Sequence, residues 1–373
     1  MQFAPLSTVK HRVAVGVPLP FNVYNSNRSL LLARGKCIES DEQFEALLDR
    51  GVLINLDDLA DPADIVRRAP ASMLPTIWEE QRKQMLEAMR DSSPVTFRTR
   101  LEAATQPLEV LIQRDKDLAI FQMLRQEASP RLEYGVHHAM HAAVIGLLIA
   151  TRLNWTISDC NLVIKTALTM NLSMLELQGV LAGSTLPPTT EQRHQIDTHP
   201  VRSREILEAS DVVDTMWLRA VEEHHERPDG SGYPRRLRDV CELASLIRCA
   251  DLYAAKLGAR VGREPIPADQ AIRKIYMADP DNVFVAALVK ELGLYPPGSY
   301  VALATGETGI VIKRGATITS PIVAAITNRQ RQPLPRPVRR DTSRPGLGVV
   351  AMLNKDDVPI PLKPQSIAAL MAA

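Results

Sequence analysis

His224–Pro234 reads HHERPDGSGYP: two adjacent histidines, a glutamate, then a turn punctuated by Gly230 and Gly232 and closed by Tyr233 and Pro234. Two adjacent histidines with a glutamate, followed by DGSGYP, make a rare string. The glycines admit backbone angles closed to other residues, which puts Tyr233 and Pro234 on a tight turn. On both sides of this string the pattern is helical, from about Ile77 to about residue 292. In Leu108–Gln126, LEVLIQRDKDLAIFQMLRQ, apolar residues recur every three or four positions, the mark of an amphipathic helix. Ala139–Leu153, AMHAAVIGLLIATRL, is apolar nearly all round and is expected to be a buried central helix.

The ends of the chain have a different texture. VAVGVPLPFNVY (Val13–Tyr24), the polar turn NSNRS and LLLARGKCI (Leu30–Ile38) predict a β-hairpin. SDEQFEALLDRG (Ser40–Gly51) predicts one short helix, with Ser40 as N-cap, Gln43 three residues on and Gly51 as its close. Residues 56–75 are polar and proline-punctuated and read as a linker. Beyond the helical region, Leu294–Gly315 has strand-like runs split by Pro-Pro-Gly and Thr-Gly-Glu-Thr-Gly. RQRQPLPRPVRRDTSRPG (Arg329–Gly346) reads as a solvated, Arg/Pro-rich loop, and GVVAMLN and VPIPL as closing strands. The expected fold is mainly α, a helical bundle flanked by a small N-terminal β-rich module and a small C-terminal β subdomain. Its expected parts are 1–58, the N-terminal module; 59–94, a linker and first helix; 95–290, the helical domain; and 291–373, the β subdomain with the Arg/Pro-rich loop.

Composition limits the function. The 44 Lys+Arg balance 43 Asp+Glu, so the chain lacks the basic excess of a general nucleic-acid surface, and no DNA or RNA partner is expected. Cys37, Cys160, Cys241 and Cys249 form no C-x-x-C pair and fit a reducing cytoplasm. The start, MQFAPLSTVKHR, has no apolar core of a signal peptide. The strongly apolar run Ala142–Ala150 is too short to span a bilayer. A cytoplasmic protein without membrane insertion is the expectation.

The string His224–Pro234 resembles the signature HHE-x-x-DG-x-GYP of the HD-GYP family, of the bacterial cyclic di-GMP phosphodiesterase type, at every fixed position. YGVHHAMHAAVIGLLIATRLNW resembles the family's first core helix and places His138 at its leading histidine. IDTHPVRSREIL is similar to the family's HP segment and supplies His199. CADLYAAKLGARVGRE is similar to the helix that carries the final aspartate, here Asp251. The resemblance covers roughly residues 95–290 and implies an HD-type helical bundle. The two β-rich ends are similar to small extensions found beside some members.

One element departs from the pattern. Counted without gaps from His138, the family's His-Asp dyad, in a stretch HD-x-GK, falls on Met170–Met174, MNLSM. Met170 stands for the histidine, Asn171 for the aspartate, Ser173 for the glycine and Met174 for the lysine. In the family that aspartate bridges two ions about 3.5–4 Å apart, and a shared hydroxide attacks the phosphodiester. Asn171 is neutral, and the thioether of Met170 suits hard Mn or Fe(II) poorly. For one ion the resemblance leaves only His138 and Asp251, too few. For the other it leaves His199, His224 and His225, which can hold at most one divalent ion (Zn, Fe or Mn) with an open position. The bland alternative makes these histidines relics, hydrogen-bonded in a helical core. Tyr134 stands where some relatives place a glutamate for a third ion, and Ala254 where an aspartate is usual.

The family's phosphate-contacting basic residues map onto Arg260 and Arg263, whose forked donors suit phosphate oxygens. The loop Asp229, Gly230, Gly232, Tyr233 and Pro234 corresponds to the part proposed to engage diguanylate cyclase partners. His137 and His141 read as incidental neighbours of His138. Met170 and Met174, four apart, read as core packing on one helical face. The function this implies is a non-catalytic or weakly active signalling protein that binds cyclic di-GMP, a diguanylate cyclase or other signalling proteins. The alternatives are a metal-dependent phosphohydrolase with an altered site, which needs an acid such as Glu176 or Glu223 near Asn171, and an interaction module that binds no nucleotide.

Overall fold

The computed structural model describes the 373-residue chain except residues 1–2, 18, 60, 92, 126–131, 259–260, 262–265, 355–357, 359–370 and 372–373. Contacts divide it into two compact units, Met1–Arg68 and Ala69–Ala373.

In the first unit, β1 (Phe3–Pro5), β2 (Val23–Tyr24), β3 (Leu30–Leu32) and β4 (Leu53–Asn55) form an antiparallel sheet in the order β1-β4-β2-β3. The predicted hairpin is present: Val23 pairs with Leu32 and Tyr24 with Leu30. Its first strand is far shorter than Val13–Tyr24, because Gly16 takes a positive φ of 76° and turns the chain well before Val23. The helix α1 (Asp41–Asp49) is capped as its sequence requires. Ser40 Oγ accepts the Gln43 amide at 3.2 Å, and Gln43 Oε1 accepts the Glu39 amide at 2.7 Å. Leu6, Phe21, Val23, Ile38 and Ile54 are buried in this unit's core.

Residues 56–75 are not a plain linker. They hold α2 (Pro62–Arg68), in which Asp61 Oδ1 accepts the Ala63 amide at 2.9 Å. Asp-Pro here starts a helix rather than breaking one, because proline lacks only an N–H that a first turn leaves unpaired anyway.

The second unit contains α3 (Leu74–Arg90), α4 (Pro94–Arg114), α5 (Lys116–Arg125), α6 (Leu132–Arg152), α7 (Ile157–Thr169), α8 (Leu175–Ala182), α9 (Thr190–Ala209), α10 (Thr215–Glu223), α11 (Glu242–Leu257), α12 (Ala268–Ala278) and α13 (Val283–Leu292). The expected central helix is α6, which packs against α7, α8, α11 and α13. Val136, Ala143, Val144, Leu148 and Ile149 on it are fully buried. Among the described residues, only α6 has the length and apolarity to cross a membrane, and 89% of that stretch is buried inside the fold. A Cβ on Gly135 of α6 would lie 2.5 Å from the carbonyl oxygen of Leu175, so the helix and α8 touch backbone to side.

The chain breaks between α7 and α8. Met170 ends α7, Leu172–Met174 form a single 3₁₀ turn, and Met174 precedes α8. Met170 and Met174 therefore do not share a helical face as their spacing suggested. Met170 is buried and Met174 only half-buried.

After α13, β5 (Tyr300–Leu303), β6 (Thr308–Lys313), β7 (Ile322–Thr327), β8 (Pro333–Asp341) and β9 (Val349–Leu353) form an antiparallel sheet in the order β8-β7-β6-β5-β9. Half of the Arg/Pro-rich stretch is thus an edge strand, β8, and not a loop. Its prolines are tolerated because only one side of an edge strand must supply ladder bonds. GVVAMLN contains β9, while VPIPL, apart from Val358, lies outside the described residues.

Gly135→Val should cost about 1–3 kcal/mol by overpacking against a backbone that cannot withdraw. Urea unfolding checks it: the midpoint falls with an unchanged slope.

Candidate metal and nucleotide site

Three elements bring the histidines together. Helix α9 presents His199; it begins with a capping box in which Thr189 and Gln192 each bond the other's amide. Helix α10, capped by Asp214, ends at Glu223, so His224 is its C-cap and His225 enters the following loop. One ligand nitrogen from each of His199, His224 and His225 lies within 4.8 Å of the other two, and no other such cluster occurs among the described residues.

The tautomers follow from the backbone. His199 Nδ1 donates to the Ile196 carbonyl at 2.5 Å and His224 Nδ1 to the Val221 carbonyl at 2.7 Å. With the proton on Nδ1, both Nε2 atoms carry lone pairs, and they face each other at 3.2 Å. Two lone pairs at that distance repel unless a cation lies between them. Nitrogens each about 2.1 Å from a tetrahedral ion sit about 3.4 Å apart, so this pair has ligand spacing. Burial pushes His199 down to about 3, helped by His224, and pushes His224 and His225 below the ordinary histidine value. All three are therefore neutral near pH 7, the form that binds metal. The residues fit a single ion with an open position.

The GYP loop forms the wall of this cluster. The Tyr233 ring stacks on His225, with centroids 4.6 Å apart and planes 19° from parallel, and meets His199 edge-on at 6.3 Å. Tyr233 therefore packs inward against the histidines. The loop is held by Glu226, the glutamate of HHE, which is buried and accepts the amides of Arg235 at 2.6 Å and Leu237 at 2.9 Å. Gly232 has no room for a side chain: a Cβ there would lie 2.5 Å from Glu226 Cα. Asp229 Oδ1 accepts both the amide and the hydroxyl of Ser231, which holds its carboxyl below the usual range. Gly230 has a φ of 79°, and Pro234 completes the turn.

His138 and Asp251, on α6 and α11, bond directly: His138 Nε2 to Asp251 Oδ1 at 2.7 Å, both buried. Burial alone would raise the Asp251 carboxyl, but the bond to His138 and the nearby His225 and His224 hold it well below the usual range. At the dyad positions, Met170 is fully buried, and Asn171 is buried with its Oδ1 lacking a hydrogen-bond partner. Ser173 does what no glycine could: its hydroxyl donates to the His199 carbonyl at 3.1 Å, and its amide donates to Ser203 Oγ at 3.1 Å.

Glu176 is exposed on α8, and Glu223 accepts from the Cys241 amide at 2.8 Å and from Arg219 at 2.7 Å. His137 is engaged as well, accepting from Arg82 at 3.1 Å. Arg260 and Arg263 lie outside the described residues. Sequence reasoning missed Arg236 and Arg238, exposed on the segment that Glu226 anchors. Neither forms an ion pair with a described residue, and the Arg238 guanidinium lies over Gly230. The signal was present in RRLRD, directly after GYP.

Residues 123–279 match the family model for the HD domain. Cyclic di-GMP phosphodiesterase PA4108 of Pseudomonas aeruginosa is 30% identical over 146 residues, 38% of this chain and 35% of that protein. The 3'3'-cGAMP-specific phosphodiesterase 3 of Vibrio cholerae is 26% identical over 169 residues, 44% of this chain and 36% of that protein. The chain thus spans about a third of the length of the curated relatives it matches. Among solved structures, an HDG"Y"P protein from Bdellovibrio bacteriovorus aligns at a TM-score of 0.49 and 17% identity, over 77% of this chain and 97% of that one. Residues 123–279 are thus an HD domain, and the complete HHE…GYP segment, which resembles the HD-GYP signature, lies inside the matched span.

Two outcomes are expected. Glu226→Ala removes the acceptor of two part-buried amides and should cost about 1–3 kcal/mol, read from urea unfolding. The second concerns acid. His137 is lowered to about 4 and His141 and His199 to about 3, so between pH 6.5 and those values the unfolded chain takes up protons that the folded chain refuses. Stability is therefore present above about pH 6.5 and falls as the pH drops. The loss by pH 5 is about 2 kcal/mol per shielded histidine. Unfolding in chelator at pH 7 and pH 5 measures it, and His199→Ala should shrink the difference.

Proposed function

We propose that this chain is a non-catalytic signalling protein of cyclic di-GMP regulation, which binds the dinucleotide at the histidine cluster without cutting it. The observation that carries this reading is the dyad position, where buried Met170 and neutral Asn171 leave nothing to bridge two ions. Hydrolysis of this type needs a hydroxide activated by both ions, and the ligands for the second are missing. When bound, a single ion at His199, His224 and His225 would supply one Lewis-acidic position. His225 is oriented by Tyr233, and His199 and His224 are held in the ligand tautomer by Ile196 and Val221. His138 and Asp251 satisfy each other. Arg260 and Arg263, with Arg236 and Arg238, are the cations we assign to the phosphates. The loop Asp229–Pro234 is the surface we assign to a diguanylate cyclase or another signalling protein, in the cytoplasm.

The names of the relatives, which act on cyclic di-GMP and 3'3'-cGAMP, support the ligand class. Calorimetric titration with cyclic di-GMP, with metal content measured on the same sample, tests the reading. Expected are binding at micromolar affinity or tighter, at most one ion per chain and no linear dinucleotide product. Two ions per chain, or turnover lost in His225→Ala, would overturn it. The double variant Met170→His/Asn171→Asp should gain a second equivalent of metal and measurable hydrolysis.

A further inference from the structure

A cavity of about 500 Å³ lies in the second unit, where α5, α6 and α13 meet the loop between β6 and β7. Its charged lining is Asp117, Arg152, Lys290, Glu291 and Arg314. Both acids are already engaged. Buried Glu291 accepts from Arg152 Nη1 at 2.9 Å through Oε1, and from Arg314 Nη1 at 2.7 Å through Oε2. Asp117 Oδ1 accepts from Arg314 Nε at 2.5 Å and from the Arg314 amide at 3.4 Å. Arg314 also donates to the Glu291 carbonyl at 3.1 Å, so it is largely consumed by the fold.

What remains are donors. Lys290 is exposed and pairs with no acid among the described residues. Arg152 commits one nitrogen to Glu291 and is 40% exposed. On the facing loop, the amides of Ala316, Thr317 and Ile318 donate to no protein acceptor among the described residues. Three cations against two acids leave one positive charge uncompensated. Glu291 is fully engaged and Asp117 keeps one oxygen without a bond to a described residue, so free donors outnumber free charged acceptors, and the lining is complementary to a ligand that brings acceptors and negative charge. The volume lies toward the lower end of small-molecule sites, which run from about 300 to 1,000 Å³.

We infer that this cavity binds a small anion bearing phosphate or carboxylate groups, held by Lys290 and Arg152 and closed over by the amides of the β6–β7 loop. It is separate from the histidine cluster: Arg152 and His138 sit on the same helix, about 20 Å apart along its axis. A ligand there would tie the C-terminal sheet to three helices of the bundle, the helix of His138 among them.

Full-length protein is titrated with inorganic phosphate and with citrate at constant ionic strength set by sodium chloride, and Tm and heat of binding are recorded. A saturable rise in Tm with either anion is expected. A response to phosphate alone assigns a phosphate ligand, and a response to citrate alone a carboxylate ligand. Lys290→Glu and Ala316→Asp, both at exposed positions, should weaken the response at least tenfold and leave Tm in chloride unchanged. His225→Ala should leave it intact. The inference is overturned if neither anion exceeds chloride at equal ionic strength, or if both charge variants bind as the parent does.

Discussion

Helix α6 has no polar face to give to water, and that single fact organises the second unit. An all-round apolar helix must be surrounded, so α7, α8, α11 and α13 close on it. Its few polar side chains are then forced into the interior, where each needs a partner. His138 finds Asp251 from α11, and His137 finds Arg82 from α3. The helix that makes the core thus also carries the first residue of the candidate site, and the burial that stabilises the bundle keeps His137 and His141 neutral.

The histidine cluster depends on backbone more than on side chains. Carbonyls of Ile196 and Val221, each three residues before its histidine, take the Nδ1 protons and aim the Nε2 lone pairs at one another. The GYP loop supplies the third wall, and Glu226 fixes that loop through amides alone. Within HHE, the two histidines join the cluster and the glutamate anchors the loop. Around Met170–Met174 the packing is settled locally. Met170 fills apolar space, and Ser173 ties the break between α7 and α8 to the carbonyl of His199. The buried Asn171 oxygen is left without a hydrogen-bond partner.

The fold class was legible because α6 and the strings around His199, His224 and Asp251 are long and specific. The three-histidine cluster was legible for the same reason. The rest was hidden by punctuation. Proline was taken as a breaker at Pro62, where it starts a helix, and in Arg329–Gly346, where it lies on a sheet edge. The four-residue spacing of Met170 and Met174 suggested a shared helical face, because no glycine or proline marks the 3₁₀ turn between α7 and α8. The inward packing of Tyr233 and the anchoring role of Glu226 rest on contacts across the loop, which a linear string does not display. Arg236 and Arg238 went unremarked because a charge run after a turn looks like ordinary solvated surface.

The composition of β8 has a consequence for how the protein meets copies of itself. An open sheet ends in two strands, and a bare edge invites a strand from another molecule to extend the ladder. Along β8 the residues Pro333, Pro335 and Pro337 have no N–H to offer, and Arg336 and Arg339 place exposed positive charge beside them. A second copy approaching edge to edge would meet like charge and missing donors at once. The strand most easily mistaken for a loop thus guards the sheet against polymerisation from that side, and leaves β9 as the edge where strand addition would have to occur.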